Sequence, residues 1–354
     1  MPEPSFIFTT CQIGAERALK GEMARVWSEF RPAFSRPGFI TFKIPPNLKL
    51  PADFDLQSVF ARSHGISLGK VIGGSDQERA VAMKTLIGSQ EFDELHVWQR
   101  GDRGSDLVKN AIGALCEGQE WQTLGFHESA LAARLVRTPQ SNSRSPRVLD
   151  CVIVERNEWW IGHHSADRSE ARWPGGIYER VPPTEMVSRA YLKMDEVLAW
   201  SELPVKPGEH VAEIGCAPGG ASQALLERGL TVLGIDPANV DGRIIANPNF
   251  THVRKRGHEV RRREFRKTRW LTADLNVAPQ YTLDTVEAIV THEEVDVRGM
   301  LLTLKLLEWS LAAEVPAYLD RIRSWGYADV RARQLSHNRQ EICVAVRRKE
   351  SSRD

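Results

Sequence analysis

A glycine-rich turn is the part of the sequence whose residue types most clearly suggest chemistry. It runs from Glu213 to Ser222 (EIGCAPGGAS), between an apolar run and a helical pattern. Gly215, Gly219 and Gly220 let the backbone come close to a ligand, because glycine has no side chain and adopts conformations closed to other residues. A helix that begins near Ala221 would present unpaired N–H groups to that ligand. The turn therefore predicts a ligand-binding loop.

A carboxylate follows the turn at an informative distance. Asp236 closes the next apolar run, about 20 residues beyond the first glycine, where an acid can accept hydrogen bonds from ribose hydroxyls. Turn, strand and acid together predict a cofactor that contains a nucleoside, bound at the C-terminal edge of a parallel sheet.

A nicotinamide dinucleotide is the obvious alternative ligand. Its fingerprint, G-x-G-x-x-G, lets a pyrophosphate lie against the N-terminus of the helix. Here Ala217 and Pro218 occupy the middle of the turn and the glycine pair comes later, so the fit is poor. A nicotinamide-dependent oxidoreductase stays as an alternative of a different class.

The elements that must position these groups follow from alternating apolar patterns in the second half of the chain. Apolar runs typical of strands alternate with spaces long enough for helices. This pattern predicts a doubly wound, mostly parallel α/β sheet with helices on both faces. Only SHNRQE separates the last two runs, so we expect them to form an antiparallel hairpin. The predicted strands are 209–216, 230–236, 270–276, 300–307, 328–335 and 342–348.

The first half of the chain has a different, α+β pattern. Residues 1–75 suggest a small ferredoxin-like unit, and residues 76–170 a separate lobe that ends in a hairpin. A stretch rich in proline and glycine, 171–184, is a plausible linker, and 185–354 form the predicted catalytic domain. The patterns behind the first two units are strands at 5–13, 38–44 and 66–73, helical spacing from Leu19 to Phe30, a short helical pattern at Val59–Phe60, and hairpin strands at 148–154 and 159–164.

Composition limits the possible partners and locations. Lys plus Arg (47) nearly equals Asp plus Glu (46), so affinity for a polyanion must come from local clusters of charge. The five cysteines are scattered without CxxC spacing, which argues against a disulfide framework and a zinc site. No apolar run approaches the roughly 20 residues that span a bilayer. We therefore expect a cytoplasmic protein without a membrane segment.

The turn also resembles a known family motif. GCAPGGASQ is similar to the D-x-G-x-x-P-G-G-W-S-Q loop of FtsJ-type RNA ribose 2′-O-methyltransferases, with Glu213 in place of the aspartate and Ala221 in place of the tryptophan. The resemblance implies a Rossmann-like methyltransferase domain and S-adenosyl-L-methionine as the cofactor. The residues that it implies for cofactor binding are Gly215, Cys216, Ala217, Pro218, Gly219, Gly220, Ala221, Ser222, Asp236 and Asp274.

The same family uses a catalytic Lys-Asp-Lys-Glu tetrad, and four separate segments of this chain resemble the segments that carry it. The implied tetrad is Lys193 in SRAYLKMDE, Asp274 in LTADLNVAP, Lys305 in LKL and Glu341 in RQLSHNRQE. In a doubly wound sheet such segments converge on the cofactor crevice.

The chemistry of this tetrad is reasonable for a ribose hydroxyl. That group is a very weak acid, so a base must take its proton during methyl transfer. The resemblance implies Lys305 as the general base and Lys193 as a neighbouring ammonium. We expect this second positive charge, together with burial, to lower the pKa of Lys305. Asp274 and Glu341 would hold the lysines and the hydroxyl in line.

The organisation of the whole chain resembles the ribosomal RNA large subunit methyltransferase M family. The similarity lies in a ferredoxin-like unit, a THUMP-like lobe, an FtsJ-type domain and the closing ARQLSHNRQEICVAVRR. It implies 2′-O-methylation of a cytidine in large-subunit (23S) ribosomal RNA. The alternatives are the same chemistry on transfer RNA or another RNA, and a non-catalytic RNA-binding protein that retains the fold.

Two further groups of residues concern RNA and metals. Nine basic residues lie between Arg254 and Arg269, and we expect Arg261, Arg262 and Arg263 among them to contact RNA phosphates. The alternative is a solvated loop. His163 and His164 have no partner at ligand spacing, so the sequence predicts no metal.

Overall fold

The computed structural model describes residues 5–51, 53–101, 106–117, 122–126, 132–136, 145–178 and 180–348. The chain divides into two compact units, Met1–Val181 and Pro182–Asp354. The expected linker, 171–184, spans this division. The expected boundary between residues 75 and 76 lies inside the first unit.

The described part of the first unit contains a nine-stranded sheet with helices packed on it. Its strand order is β2-β3-β1-β4-β9-β8-β5-β7-β6. The elements are β1 (Phe6–Thr10), α1 (Glu16–Val26), β2 (Arg31–Arg36), β3 (Phe39–Lys43), β4 (Ser63–Ile72), α2 (Asp76–Ile87), β5 (Glu94–Gln99), α3 (Asp106–Cys116), β6 (Gln122–Phe126), β7 (Ala132–Val136), β8 (Arg147–Glu155) and β9 (Glu158–Ser165).

The structure corrects three expectations about residues 1–75. Strand β4 pairs with both β1 and β9, so both expected N-terminal units share one continuous sheet. The described residues of 5–75 contain a single helix, α1, where a ferredoxin-like unit has two. Val59 and Phe60 are not helical, and their N–H groups donate to the buried carboxylate of Glu22.

Strand β2 was not predicted, whereas the hairpin of β8 and β9 was. β2 lies at the edge of the sheet, and most of its residues are exposed. An edge strand can contain a proline such as Pro32. Because most of its residues are exposed, β2 also lacks the alternating apolar residues that identify a strand in a sequence. β8 and β9 are mostly buried and pair through a two-residue turn at 156–157.

The second unit is a doubly wound α/β domain. Its elements are α4 (Ala190–Ser201), β10 (His210–Ile214), α5 (Gly220–Leu226), β11 (Thr231–Ile235), α6 (Gly242–Ile245), β12 (Phe250–Val253), β13 (Trp270–Asp274), α7 (Pro279–Val290), β14 (Gly299–Lys305), α8 (Val315–Ser324), β15 (Asp329–Arg333) and β16 (Glu341–Arg347).

Its described strands form a sheet of order β12-β11-β10-β13-β14-β16-β15. β10 to β14 are parallel, and β16 is antiparallel to both β14 and β15. The six predicted strands and the terminal hairpin are present. β12 was missed because it is a four-residue edge strand with little apolar pattern.

The chain leaves β10 in one direction to β11 and β12 and then returns to β13 on the other side. Strand order therefore reverses between β10 and β13, and open α/β sheets bind ligands at the C-terminal edge of such a point. None of the described helices is long and apolar enough to cross a membrane.

Candidate active site

Four charged side chains meet at the C-terminal edge of the second sheet. Asp274 is the last residue of β13, and Lys305 is the last residue of β14. Glu341, the first residue of antiparallel β16, is the direct register partner of Lys305. Lys193 reaches the group from α4. The four residues that the family resemblance implied are thus brought together by three adjacent strands and one helix.

Their charges alternate around a closed ring. Lys305 Nζ lies 2.7 Å from Asp274 Oδ1 and donates to Glu341 Oε2. Lys193 Nζ is paired with Glu341 Oε1 and lies 3.8 Å from Asp274 Oδ2. The side chain of Glu341 is 6% exposed, whereas those of Lys193 and Asp274 are 25% and 30% exposed. Glu341 is therefore the buried member, and Lys193 and Asp274 form the side open to a substrate.

This ring corrects the expected pKa of Lys305. Burial alone would lower the pKa, but the charges and hydrogen bonds of Asp274 and Glu341 outweigh burial and raise it above its ordinary value. Burial raises the pKa of Glu341, yet hydrogen bonds from Lys193 and Lys305 outweigh it and give a net lowering. The two carboxylates contact Lys305 directly and determine the sign. In the ligand-free protein Lys305 is an ammonium at neutral pH.

Asn338 supports Glu341 from the turn between β15 and β16. It is buried, and its amide nitrogen donates to Glu341 Oε1 at 3.2 Å. Its amide oxygen accepts from the N–H of Leu335 at 2.8 Å. Asn338 therefore links the turn between β15 and β16 to the carboxylate of Glu341.

Glu196 joins that turn to the helix that carries Lys193. Its carboxylate is fully buried and accepts the N–H groups of Ser336 and His337, at 2.6 and 2.9 Å. The His337 ring Nδ1 lies 2.7 Å from the same carboxylate. Burial raises the pKa of Glu196, but these hydrogen bonds outweigh it and lower the pKa. Glu196 is the last residue of SRAYLKMDE, the segment that resembles the family motif. Its place in that motif could have marked it as functional, but no role was predicted for it.

The glycine turn lies beside the ring, and two of its glycines have a positive φ, which favours glycine. Gly215 has φ of 84°, and an added Cβ would lie 2.5 Å from the carbonyl oxygen of Asp274. Gly219 has φ of 115° and caps α5, and its Cβ would lie 2.9 Å from Ile244 Cγ1. The lack of a side chain therefore lets the turn fit tightly against its own neighbours as well as a ligand.

The remaining residues of the turn divide into buried and open positions. Ser222 is fully buried, and its hydroxyl donates to Glu213 Oε2 at 2.5 Å, so this side chain holds Glu213. Burial raises the pKa of Glu213 to about 8. Cys216 and Ala221 are also buried, whereas Pro218 is exposed.

Asp236 is placed where a nucleoside cofactor needs an acceptor. It follows β11, is partly exposed, and accepts the N–H groups of Ala217 and Ala238, at 3.2 and 2.8 Å. A carboxylate has about four acceptor positions, so Asp236 can hold the turn and still accept two hydroxyls. The donor and acceptor set therefore fits an adenosine-containing cofactor.

The basic segment is divided between opposite edges of the sheet. Arg254, Lys255 and Arg256 follow β12 and lie at the edge that carries the charged ring, whereas Arg266 to Arg269 precede β13 at the opposite edge. Arg266 is paired with Glu294, and Arg269 Nη1 lies 3.2 Å from Asp296 Oδ2.

Arg261, Arg262 and Arg263 lie between these two ends of the segment. Arg261 and Arg263 are exposed and Arg262 is partly exposed. The structure thus does not present 254–269 as one cluster.

Comparison with known proteins identifies the class of the second unit. The family model described as FtsJ-like methyltransferase matches residues 186–313, a range that includes the turn, Lys193, Asp274 and Lys305. The protein is a methyltransferase of the FtsJ-like class.

The relatives extend the similarity over the whole chain. The Ribosomal RNA large subunit methyltransferase M of Halorhodospira halophila is 35% identical, and the match covers 96% of this chain and 95% of that protein. The protein of the same name from Laribacter hongkongensis is 29% identical over 90% of this chain and 89% of its own length. The chain belongs to the ribosomal RNA large subunit methyltransferase M family.

Proposed function

We propose that the protein transfers a methyl group from S-adenosyl-L-methionine to a ribose 2′-hydroxyl of RNA, at a cytidine of large-subunit (23S) ribosomal RNA, in the cytoplasm. The observation that carries the proposal is the ring of Lys193, Asp274, Lys305 and Glu341 beside the glycine turn. The names of the relatives support ribosomal RNA as the substrate.

The turn from Gly215 to Ser222 and Asp236 would hold the cofactor. When bound, S-adenosyl-L-methionine supplies an electrophilic methyl group on a positively charged sulfonium. Asp236 would accept hydrogen bonds from the ribose hydroxyls of the cofactor. The backbone of the turn, where glycine leaves it uncovered by side chains, would contact the rest of the cofactor. Asp274 lies next to Gly215 and therefore borders both the cofactor pocket and the charged ring.

Lys305 would take the proton of the ribose hydroxyl. It must first lose its own proton to solvent, and its pKa is raised in the ligand-free protein. A positive charge bound in the adjacent pocket disfavours the ammonium and lowers that pKa, since like charges repel. Asp274 and Glu341 hold Nζ in place, and Lys193 keeps Glu341 ionised. The hydroxyl proton then passes to Lys305 Nζ.

Direct methylation assays test this function. The purified protein should incorporate a tritiated methyl group into 23S ribosomal RNA that has not been modified, and digestion to nucleosides should yield 2′-O-methylcytidine. 16S ribosomal RNA and transfer RNA serve as the control substrates. A methyl group on a base, or preferential methylation of transfer RNA, would contradict the proposed acceptor or substrate.

Replacing Asp236 by alanine should weaken the binding of S-adenosyl-L-methionine by about 5- to 150-fold. This range corresponds to the roughly 1–3 kcal/mol lost when buried hydrogen-bonding groups lose a charged partner. Both the ribose contacts and the anchor of the turn at Ala217 are lost. Isothermal titration measures the change. Asp241→Ala is the matched control, because Asp241 caps the short helix α6 nearby. Equal affinities for both variants would place the pocket elsewhere.

We also propose that 76–170 form a THUMP-like RNA-binding region and that Arg261, Arg262 and Arg263 contact RNA phosphates. Replacing these three arginines by glutamine should weaken RNA binding and reduce the slope of log affinity against log salt by about 2, since each lost contact to single-stranded RNA contributes about 0.7. The control replaces Arg266, Lys267 and Arg269 by glutamine. Filter binding at several salt concentrations compares the two. An equal decrease in slope would assign no special role to residues 261–263.

A further inference from the structure

Three adjacent strands of the first unit bring two histidines and an aspartate together. His96 on β5 is the direct register partner of Asp150 on β8. His164 on β9 pairs with Val148, two residues from Asp150, and so lies diagonally across from it. One nitrogen or oxygen atom from each side chain lies within 4.8 Å of the others. His96 and Asp150 are fully buried, and the side chain of His164 is 9% exposed.

Both imidazole rings direct Nδ1 towards the same carboxylate. His164 Nδ1 lies 2.6 Å from Asp150 Oδ2, and His164 Nε2 lies 2.8 Å from the carbonyl oxygen of Ala171. His96 Nδ1 lies 4.0 Å from Asp150 Oδ1. Histidines that bind a metal through one nitrogen usually donate the other N–H to a carbonyl or carboxylate. His164 has this arrangement.

The second ring nitrogen of His96 faces a carboxylate, that of Glu94, beyond hydrogen-bond distance. His96 Nε2 faces Glu94 Oε2 at 3.6 Å, and Glu94 is held by two hydrogen bonds from Arg134, at 2.7 and 2.5 Å. Neither ring nitrogen of His96 has a hydrogen-bond partner among the described residues. Leaving a fully buried polar group without such a partner is costly. A bridging atom between His96 and Asp150 would remove this cost, because the two side chains are too far apart for a direct hydrogen bond.

The open distance between His96 and Asp150 is close to the size of a metal site. Zinc bonds to nitrogen and oxygen at about 2.0–2.2 Å in a tetrahedral arrangement, so two of its ligand atoms lie about 3.3–3.6 Å apart. The 4.0 Å separation of His96 Nδ1 and Asp150 Oδ1 would shorten by about half an ångström on metal binding. Imidazole and carboxylate are ligands that zinc accepts. Two imidazole nitrogens and both oxygens of Asp150 would complete a four-coordinate site.

We propose that His96, Asp150 and His164 form a structural binding site for a divalent cation of the zinc type, which ties β5, β8 and β9 together. The site lies in the first unit and has no part in methyl transfer, so it stands independently of the proposed function.

The sequence could not indicate this site. Its three ligands are separated by 54 and 14 residues and share no motif, and the expectation of no metal rested on the scattered cysteines and on the spacing of His163 and His164. His163 is the neighbour of His164 on β9, and its ring lies against Phe92, with 5.9 Å between the ring centroids. Only the pairing of β5, β8 and β9 unites the three ligands.

Metal analysis of the full chain, with any polyhistidine tag removed, tests the proposal. After dialysis against zinc and then against metal-free buffer, elemental analysis should find about one zinc per chain. His96→Asn and His164→Asn should each retain less than about a tenth of that amount. His163→Asn is the matched control and should retain all of it. Wild-type protein that holds no zinc would overturn the proposal.

A second measurement covers variants that fail to fold. Metal-stripped wild-type protein titrated with Co²⁺ should develop the visible absorption of four-coordinate cobalt at one equivalent, and zinc should abolish it. Added zinc should raise the midpoint of thermal unfolding of the wild type, and a chelator should reverse that increase. Absence of both effects would sink the proposal. So would stoichiometric zinc in folded His96→Asn and His164→Asn proteins, with folding judged by circular dichroism.

Discussion

Replacing Lys305 by alanine should lower the single-turnover rate of methyl transfer by about 10²- to 10⁴-fold, the usual contribution of a general base. Affinity for S-adenosyl-L-methionine should not fall and should rise modestly, because the cofactor would be held by the turn and Asp236 and because loss of the Lys305 ammonium removes its repulsion of the cofactor's positive charge. Lys305→Arg should fail as well, because a guanidinium stays protonated and cannot accept the proton. Rapid-quench assays with tritiated cofactor and saturating RNA measure the rate.

The pH dependence of the wild type provides an independent readout of the same group. The pKa of Lys305 is raised in the ligand-free protein, and we expect it to stay above neutral pH in the complex with cofactor and RNA, so the deprotonated fraction is small at neutral pH. It should increase about tenfold per pH unit until another step limits the rate. The single-turnover rate should therefore rise between neutral and alkaline pH, and the residual rate of Lys305→Ala should not follow that rise.

Lys206→Ala is the matched control, since Lys206 is an exposed lysine of the same unit. Its rate and pH profile should equal those of the wild type. If Lys305→Ala retains a rate near that of the wild type at saturating RNA, another residue is the base and the assignment of the ring is wrong.

Replacing Gly219 by leucine should weaken the binding of S-adenosyl-L-methionine by about 100-fold. The residue has φ of 115°, and a Cβ would lie 2.9 Å from Ile244 Cγ1 and 3.2 Å from Val240 Cγ1. Forcing a side chain into such a conformation costs of order 1–3 kcal/mol, and relief of the strain would move the turn away from the pocket. Gly219→Ala should show a smaller loss. Isothermal titration with the cofactor measures both.

Gly242→Leu separates this effect from a general loss of stability. Gly242 begins the neighbouring helix α6, and an added Cβ there would have no atom within 4 Å. This variant should bind the cofactor like the wild type. Wild-type affinity in a folded Gly219→Leu protein would mean that the turn does not contact the cofactor.

The sequence by itself determined the architecture of the second unit and predicted the position of its candidate site. Its buried parallel strands are continuous apolar runs, and the glycine turn lies between neighbouring elements. Short segments of sequence were therefore enough to predict the strands and the turn. Lys193, Asp274, Lys305 and Glu341 were identifiable because each lies in a segment that resembles a family motif. The edge strands β2 and β12 escaped because exposed strands lack that apolar pattern.

Only the tertiary structure decided the properties that depend on contacts between distant residues. The order of charges around the ring placed a carboxylate on each side of Lys305 and so reversed the expected direction of its pKa shift. Glu196 binds the N–H of Ser336, in a turn 140 residues further along the chain. Strand pairing likewise brings together His96, Asp150 and His164. Electrostatic and coordination energies depend on distances of a few ångströms, and the spacing of residues along the chain does not contain those distances.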